Sequence, residues 1–116
     1  MGQDTKQTKV YLTEDCWAYS GVYQKIGYLP GINSSNLKLW TMLGALILEL
    51  HNNGIHYVTI YNDTRLVEEF NEQIKFEDSF SKNIAVRLKN GIVKKFIKFE
   101  VKKLDKHSID NQMKLP

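Results

Sequence analysis

The sequence has very little cysteine and very little proline. Its 116 residues include one cysteine, Cys16, and two prolines, Pro30 and Pro116. A single thiol cannot form an intramolecular disulfide, so the sequence does not indicate an oxidising compartment. A lone cysteine beside a predicted strand is typical of a small buried hydrophobe rather than a nucleophile. Two prolines are also too few for a Pro-rich linker.

Long apolar runs are absent as well. The longest, residues 39–48, is too short to span a bilayer, and residues 1–9 lack the apolar segment of a secretory signal. These absences predict a cytoplasmic protein without a membrane partner. Hydrophobic residues make up 42% of the chain and charged residues 25%, which suits one globular domain. We expect a flexible tail over residues 1–8, a domain over residues 9–111 and a second tail over residues 112–116.

Acidic residues are scarce in residues 82–106. This segment has nine basic residues and two acidic ones, a net charge of +7, whereas the whole chain carries +3. Such asymmetry is typical of a protein that presents a basic surface to an anionic partner, although a solvated lysine-rich surface has the same composition. The sequence therefore predicts nucleic acid as the partner of six lysines: Lys89, Lys94, Lys95, Lys98, Lys102 and Lys103.

Periodicity in the sequence predicts an α/β domain. The predicted strands cover residues 9–13, one or two segments of residues 17–29, residues 56–61 and residues 96–101. A helix over residues 37–50 is apolar on nearly all faces and must therefore be buried. Because a helix between two strands forms a β–α–β crossover, a parallel pair should lie beside an antiparallel hairpin. The fold class is therefore a mixed sheet of four to five strands with helices packed on it.

The remaining signals concern helix starts and the end of the chain. Residues 105–116 are polar, and we predict that they are irregular. A short second helix should run to about Ile74, and a third should end near Asn90. The candidate caps of the three helices are, in chain order, Ser34 or Ser35, Asn62 or Asp63, and Ser79 or Ser81.

The order of elements and three local motifs resemble the ribonuclease H family. Residues 11–15, Tyr-Leu-Thr-Glu-Asp, are similar to its first-strand motif, in which a Thr leads into an acid. Residues 58–64 are similar to its fourth-strand motif, an apolar strand that ends in Asp-Ser or Asp-Thr. Residues 104–107, followed by Asn111, are similar to its last motif, in which a His precedes an Asn-Glu pair. The resemblance covers residues 9–111 and implies a ribonuclease H-like fold with a buried central helix.

The resemblance also implies a metal-dependent active site. The family hydrolyses phosphodiesters with two Mg²⁺ ions, held by carboxylates on the first strand, the first helix, the end of the fourth strand and the segment after the last loop. Asp63 matches the fourth-strand position. Glu14 matches the first-strand position, with Asp15 as the alternative; on a strand the two would point to opposite faces, and the order Thr-acid favours Glu14. His107 is a weak match to the family's His.

Two of the four implied carboxylates are missing. The start of the buried helix, residues 39–42, contains no acid. Glu49 lies roughly 12 Å further along the helix axis and cannot replace it. The late acid expected after Asn111 falls near Leu115, which is apolar. The sequence therefore predicts no cofactor, or weakly bound Mg²⁺ held by Glu14 and Asp63.

Three functions are compatible with these residues. The favoured one is a catalytically impaired ribonuclease H-like domain that binds RNA, an RNA/DNA hybrid or a protein. An alternative is a Mg²⁺- or Mn²⁺-dependent ribonuclease with an atypical carboxylate set. The last is a homo-oligomeric or partner-binding accessory protein, of a mobile element for example, with no nucleic-acid role. Purely structural roles also explain these residues. Asp63 can be only a helix cap. The aromatic side chains that could stack on bases can simply cover a sheet; they are Trp17, Tyr19 and Tyr23.

Overall fold

The computed structural model describes residues 7–27 and 29–113. Leu115 and most of the two predicted tails lie outside these residues. Strands and helices follow in the order β1 (Thr8–Leu12), β2 (Cys16–Tyr19), β3 (Val22–Lys25), α1 (Ser35–Asn52), β4 (Tyr57–Asn62), α2 (Leu66–Phe70), α3 (Ser79–Asn90), a 3₁₀ turn (Ile92–Lys95), β5 (Lys98–Lys103) and α4 (Lys106–Gln112). No helix among these residues is long and apolar enough to cross a membrane.

The five strands form one mixed sheet in the order β3-β2-β1-β4-β5. Strands β1, β2 and β3 form an antiparallel meander, and the β2–β3 turn places Ser20 and Gly21 at φ 44° and 81°, as a two-residue hairpin requires. Strand β4 pairs in parallel with both β1 and β5. The predicted fold class and the predicted parallel pair are therefore confirmed.

Helix α1 lies against one face of this sheet and forms the centre of the core. The Ser34 hydroxyl caps it by accepting a hydrogen bond from the Leu37 N–H at 3.3 Å. The helix ends where Gly54 adopts φ +74°, a conformation that favours glycine. Apolar side chains of β1, β4 and β5 pack with those of α1, and the fully buried ones include Val10, Leu12, Leu39, Leu43, Leu46, Leu50, Val58 and Ile60.

The opposite face of the sheet is covered in part by α4. Ile109 and Met113 pack there with Cys16, Tyr11 and Ala18. The prediction that residues 105–116 are irregular is therefore wrong for α4. This helix forms because the Asp105 carboxylate caps it, accepting hydrogen bonds from the Ser108 N–H at 2.9 Å and the Ser108 hydroxyl at 2.8 Å.

The second helix starts later and ends earlier than predicted. Neither Asn62 nor Asp63 caps it; α2 begins after Arg65, which makes no side-chain capping bond. The buried Asn62 side chain instead accepts from the Thr64 N–H at 2.9 Å and donates to the Leu12 carbonyl at 2.9 Å. Asn62 thus ties the end of β4 to the end of β1.

The third helix and the last strand also differ from the prediction. Asp78, not Ser79 or Ser81, caps α3, and its carboxylate accepts from the Ser81 N–H at 2.7 Å. Strand β5 starts two residues later than predicted because the 3₁₀ turn (Ile92–Lys95) precedes it.

A fully buried carboxylate joins the helical layer. Glu69 of α2 accepts hydrogen bonds from the Trp40 indole at 2.7 Å, the Asn36 amide at 3.0 Å and the Glu77 backbone N–H at 2.7 Å, and it pairs with Arg65 at 3.0 Å. A buried charge is tolerated when such donors replace its water. Glu69 therefore connects α1, α2 and the segment that leads into α3.

Replacement of Glu69 should be far more costly than replacement of its neighbour. We expect Glu69→Ala to lower the free energy of unfolding by roughly 3–5 kcal/mol, because its buried donors lose their acceptor. The control is Glu68→Ala, which removes only a half-exposed ion pair with Lys103 and should cost about 0–1 kcal/mol. Urea denaturation measures both values, and equal losses would contradict the role assigned to Glu69.

Candidate active site

Four carboxylates line one cavity at the carboxyl end of β1 and β4. Because these strands are parallel, the segments that follow them meet at the same edge of the sheet. The cavity has a volume of about 540 Å³. Its charged lining residues are Glu14, Asp15, Asp63, Asp110, Lys25 and Lys106. We call it the acidic cavity.

Glu14 and Asp15 both reach the acidic cavity because they do not belong to a strand. Strand β1 ends at Leu12, and the Thr13 hydroxyl then accepts hydrogen bonds from the backbone N–H groups of Asp15 at 3.3 Å and Cys16 at 3.2 Å. This turn removes the alternation of a strand, so the expectation that Asp15 points away was wrong. The choice between Glu14 and Asp15 stays open.

Three of the four carboxylates of the acidic cavity already have protein partners. Glu14 accepts a hydrogen bond from the Ser35 hydroxyl at 3.2 Å. Asp15 lies 3.5 Å from the Lys38 ammonium, and Asp110 lies 3.9 Å from that of Lys106. All three contacts are exposed, so each contributes little to stability, but each places a donor or positive charge where a metal ion would otherwise bind.

Asp110 is the carboxylate that sequence reasoning missed. It lies on α4, which was predicted to be irregular, and the late acid was sought near Leu115 instead. A signal was present: Asp105 precedes Ser108 by three residues, the spacing of an N-cap and its donor. A helix that starts at Lys106 and buries Ile109 against the sheet places Asp110 beside the cavity.

Leu39 belongs to residues 39–42, where the resemblance implies a carboxylate on the first helix. It is 1% exposed and lines a smaller hollow of about 250 Å³ together with Glu14. Glu49 is engaged elsewhere, because it accepts a hydrogen bond from the Tyr19 hydroxyl at 2.6 Å. Burial, together with the Glu49 carboxylate, raises the pKa of that hydroxyl. No other acid of α1 replaces the missing one.

The residues present do not fit a site for two Mg²⁺ ions. Within residues 7–27 and 29–113, no three His, Cys, Asp or Glu side chains form a group that could hold a metal ion. Two Mg²⁺ ions need several converging anionic oxygens to offset their repulsion. The acidic cavity is instead lined by Lys25 and Lys106 as well as by carboxylates that come from separate elements.

His107 lies on the exposed side of α4 and does not line the acidic cavity. Its ring Nε2 is 3.3 Å from the side-chain amide of Asn111, one turn further along the same helix. The structure therefore places this weak candidate away from the four carboxylates.

The six predicted nucleic-acid-binding lysines differ in their surroundings. Lys89 packs 4.5 Å from the ring centroid of Phe70 and pairs with Glu72 at 3.5 Å. Lys103 pairs with Glu68 at 2.7 Å. By contrast, Lys94 and Lys95 are exposed on the 3₁₀ turn and form no ion pair with the described residues.

Lys98 and Lys102 share one acidic partner on the edge strand β5. Their ammonium groups lie 3.4 Å and 3.5 Å from the Glu100 carboxylate. Desolvation acts to raise the pKa of Glu100, but the two lysines outweigh it, and the pKa is lowered. Glu100 therefore remains ionised and offsets one of these two positive charges.

The sheet order, the buried α1 crossover and the helix α4 on the opposite face define a ribonuclease H-like fold. Among solved structures, the chain is similar to RNase H1 from the halophilic archaeon Halobacterium salinarum NRC-1, with a TM-score of 0.69 over 90% of each chain. The two sequences are 12% identical, so this similarity shows the fold alone. No family model and no curated protein matches the sequence.

The cap of α4 predicts a pH-dependent contribution to stability. The Ser108 backbone N–H, and then its hydroxyl, lower the pKa of Asp105 from 3.8. Since the pKa is lower in the folded chain than in the unfolded chain, this stabilisation is present above the unfolded pKa and is lost as the pH falls through the folded pKa.

We therefore expect Asp105→Ala to lower the melting temperature at pH 7 and to have a smaller effect in acid, once the pH has fallen below the lowered pKa of Asp105. Asp105→Asn should retain most of the cap at neutral pH, because its side-chain oxygen still accepts from Ser108. Thermal denaturation over a pH series measures the difference. A deficit for Asp105→Ala that is independent of pH would contradict the ionised cap.

Proposed function

We propose that this chain is a ribonuclease H-like domain that binds nucleic acid and is impaired in hydrolysis. The observation that carries the proposal is the acidic cavity itself. Carboxylates come to this cavity from three elements, the start of α1 (residues 39–42) supplies none, and two lysines also line the cavity.

Electrostatics favour binding without cleavage. Two Mg²⁺ ions bring four positive charges, and Lys25 and Lys106 would add to their mutual repulsion. The four carboxylates of the acidic cavity offer four negative charges, and the two lysines leave a net charge of −2 around the cavity. On this proposal the domain has no resident cofactor, or holds Mg²⁺ weakly at Glu14 and Asp63. The same two lysines suit a phosphate group. On this proposal they bind the phosphate that metal ions would bind in a complete site.

RNA or an RNA/DNA hybrid is the partner class that the fold favours. The similar archaeal structure is named RNase H1, and the segment of residues 82–106 carries the excess of positive charge. Among the six predicted lysines, Lys94 and Lys95 are the most available to phosphates, because acids already pair with Lys89, Lys98, Lys102 and Lys103.

A second candidate function is a nuclease with an atypical ligand set. Asp110 is the observation in its favour, since it gives the acidic cavity a third carboxylate-bearing element beside those of Glu14 or Asp15 and of Asp63. The two candidates differ in one measurable property, the cleavage of a hybrid.

Cleavage of an RNA/DNA hybrid should be absent or very slow in Mg²⁺ and in Mn²⁺. The purified chain is incubated with a labelled hybrid, and Asp63→Asn and Asp110→Asn are prepared as matched variants. We expect the three samples to be indistinguishable, because no ligand set is complete in any of them. Cleavage by the native chain that both variants abolish would establish the nuclease and refute the proposal.

Binding of the hybrid should weaken steeply with salt, because lysines displace counterions from phosphates. We expect the double variant Lys94→Gln with Lys95→Gln to bind more weakly and to reduce the slope of log affinity against log salt by about 1–2. The control is Lys75→Gln, an exposed lysine outside the basic segment. If the double variant binds like the control, Lys94 and Lys95 are only a solvated surface.

A further inference from the structure

A row of side chains crosses the sheet on the face opposite α1. Pairing between neighbouring strands aligns Tyr23 of β3, Ala18 of β2, Tyr11 of β1, Tyr61 of β4 and Lys102 of β5. Strands lie about 4.8 Å apart, so the row spans roughly 19 Å. We call these five residues the tyrosine row.

The rings of the tyrosine row are arranged for stacking. Tyr11 and Tyr61 have centroids 5.4 Å apart and planes inclined by 17°. Both are half-buried, and Tyr23 is 39% exposed. Burial, and then the neighbouring Tyr61, raise the pKa of the Tyr11 hydroxyl, so this side chain is uncharged at neutral pH. An uncharged ring does not repel an anionic partner.

A gap in the tyrosine row leaves room for a planar group. Ala18 is the one small side chain of the row and lies between Tyr23 and Tyr11. A cavity of about 250 Å³ opens there, lined by these three residues together with Lys9 and Met113. Met113 packs against Tyr11 and Ala18 and so closes one side of this cavity. The remaining volume is several times the ~30 Å³ that one water occupies in the liquid, so an aromatic ring of a ligand has space beside Met113, between the two tyrosines.

Positive charge exceeds negative charge on the strands that carry the tyrosine row, and the carboxylates of the acidic cavity lie beside its Tyr23 end. Side chains alternate along each strand, so Lys9, Lys25, Lys98 and Lys102 lie on the same face as the tyrosines, opposed by Glu100. The described strands thus give this face four lysines and one acid, a net charge of +3. Aromatic rings interleaved with lysines suit a ligand that alternates planar bases with phosphates.

We propose that the tyrosine row binds a single-stranded nucleic acid, with unpaired bases stacked on its rings and phosphates beside the lysines. In a duplex the faces of the bases are stacked on each other, so only an unpaired strand presents them to a protein. This inference rests on the proposed function, because it names a strand type and a surface for its nucleic acid. The surface is separate from Lys94 and Lys95. Tyr23 and Lys25 line the acidic cavity as well, so a strand bound along the row passes that cavity.

The test compares ring-removing with ring-retaining variants of the full chain. Fluorescence anisotropy measures binding of a short labelled oligothymidylate, the matching oligouridylate and an RNA/DNA hybrid. Tyr23→Leu and Tyr61→Leu should each weaken single-strand binding roughly tenfold, whereas Tyr23→Phe and Tyr61→Phe should retain it. Ala18→Leu, which fills the gap, should also weaken it. The control is Phe80→Leu on α3, which removes a 67% exposed ring outside the row.

The outcomes separate this inference from the proposed function. If single-strand binding is unchanged in the Leu variants, the role assigned to the tyrosine row is wrong. If hybrid binding still depends on Lys94 and Lys95 in that case, the proposed function is retained. No binding of any nucleic acid overturns both. A change of light-scattering mass in Tyr23→Leu would show that a second copy covers the face, which also overturns the inference. Circular dichroism of each variant confirms that lost binding does not reflect lost folding.

Discussion

The buried carboxylate of Glu69 is the constraint on which the helical layer depends. A charge with no exposed surface must meet a donor on every side, and its donors come from α1, α2 and the segment before α3. Asn36 extends this network to Ser81, and Ser81 in turn bonds the cap Asp78. Three helices therefore take their relative positions from one side chain.

This network also holds the start of α1, the region where the resemblance implies a carboxylate. Leu39 lies between Asn36 and Trp40, and both of these neighbours donate to Glu69. The first turns of α1 are thus held by a hydrogen-bond network that faces α2 and α3, while Leu39 fills the core. In this chain the start of α1 serves stability. The carboxylates left around the acidic cavity come from the turn after β1, the turn after β4, and α4.

The main features of the fold were predictable because they depend on local patterns. Alternating and helical periodicities located the strands and α1, and the crossover rule required β1 and β4 to be parallel. The Thr13 turn was not predictable, because one hydroxyl that accepts two backbone N–H groups overrides the strand pattern. Likewise, the donors of Glu69 are far apart in sequence, so no local signal reveals that this acid is buried.

The candidate site was predictable only in part, for the same reason. Glu14 and Asp63 follow parallel neighbouring strands, so their proximity was a consequence of topology. Asp110 lies 47 residues after Asp63 and reaches the cavity through the register of α4, which depends on the Asp105 cap. The roles of these acids and of the six lysines stay predictions, since position at a cavity does not establish chemistry.

The lysines of β5 have a further consequence for how copies of the chain behave together. This strand is an edge of the sheet and presents backbone groups that another strand could pair with. Lys98, Lys102 and Lys103 place positive charge along that edge, and an approaching copy would bring the same charges against them. With Glu100 counted against the three lysines, the strand keeps a net charge of +2, so this edge pairs less readily with a second copy of itself than a neutral edge of the same length.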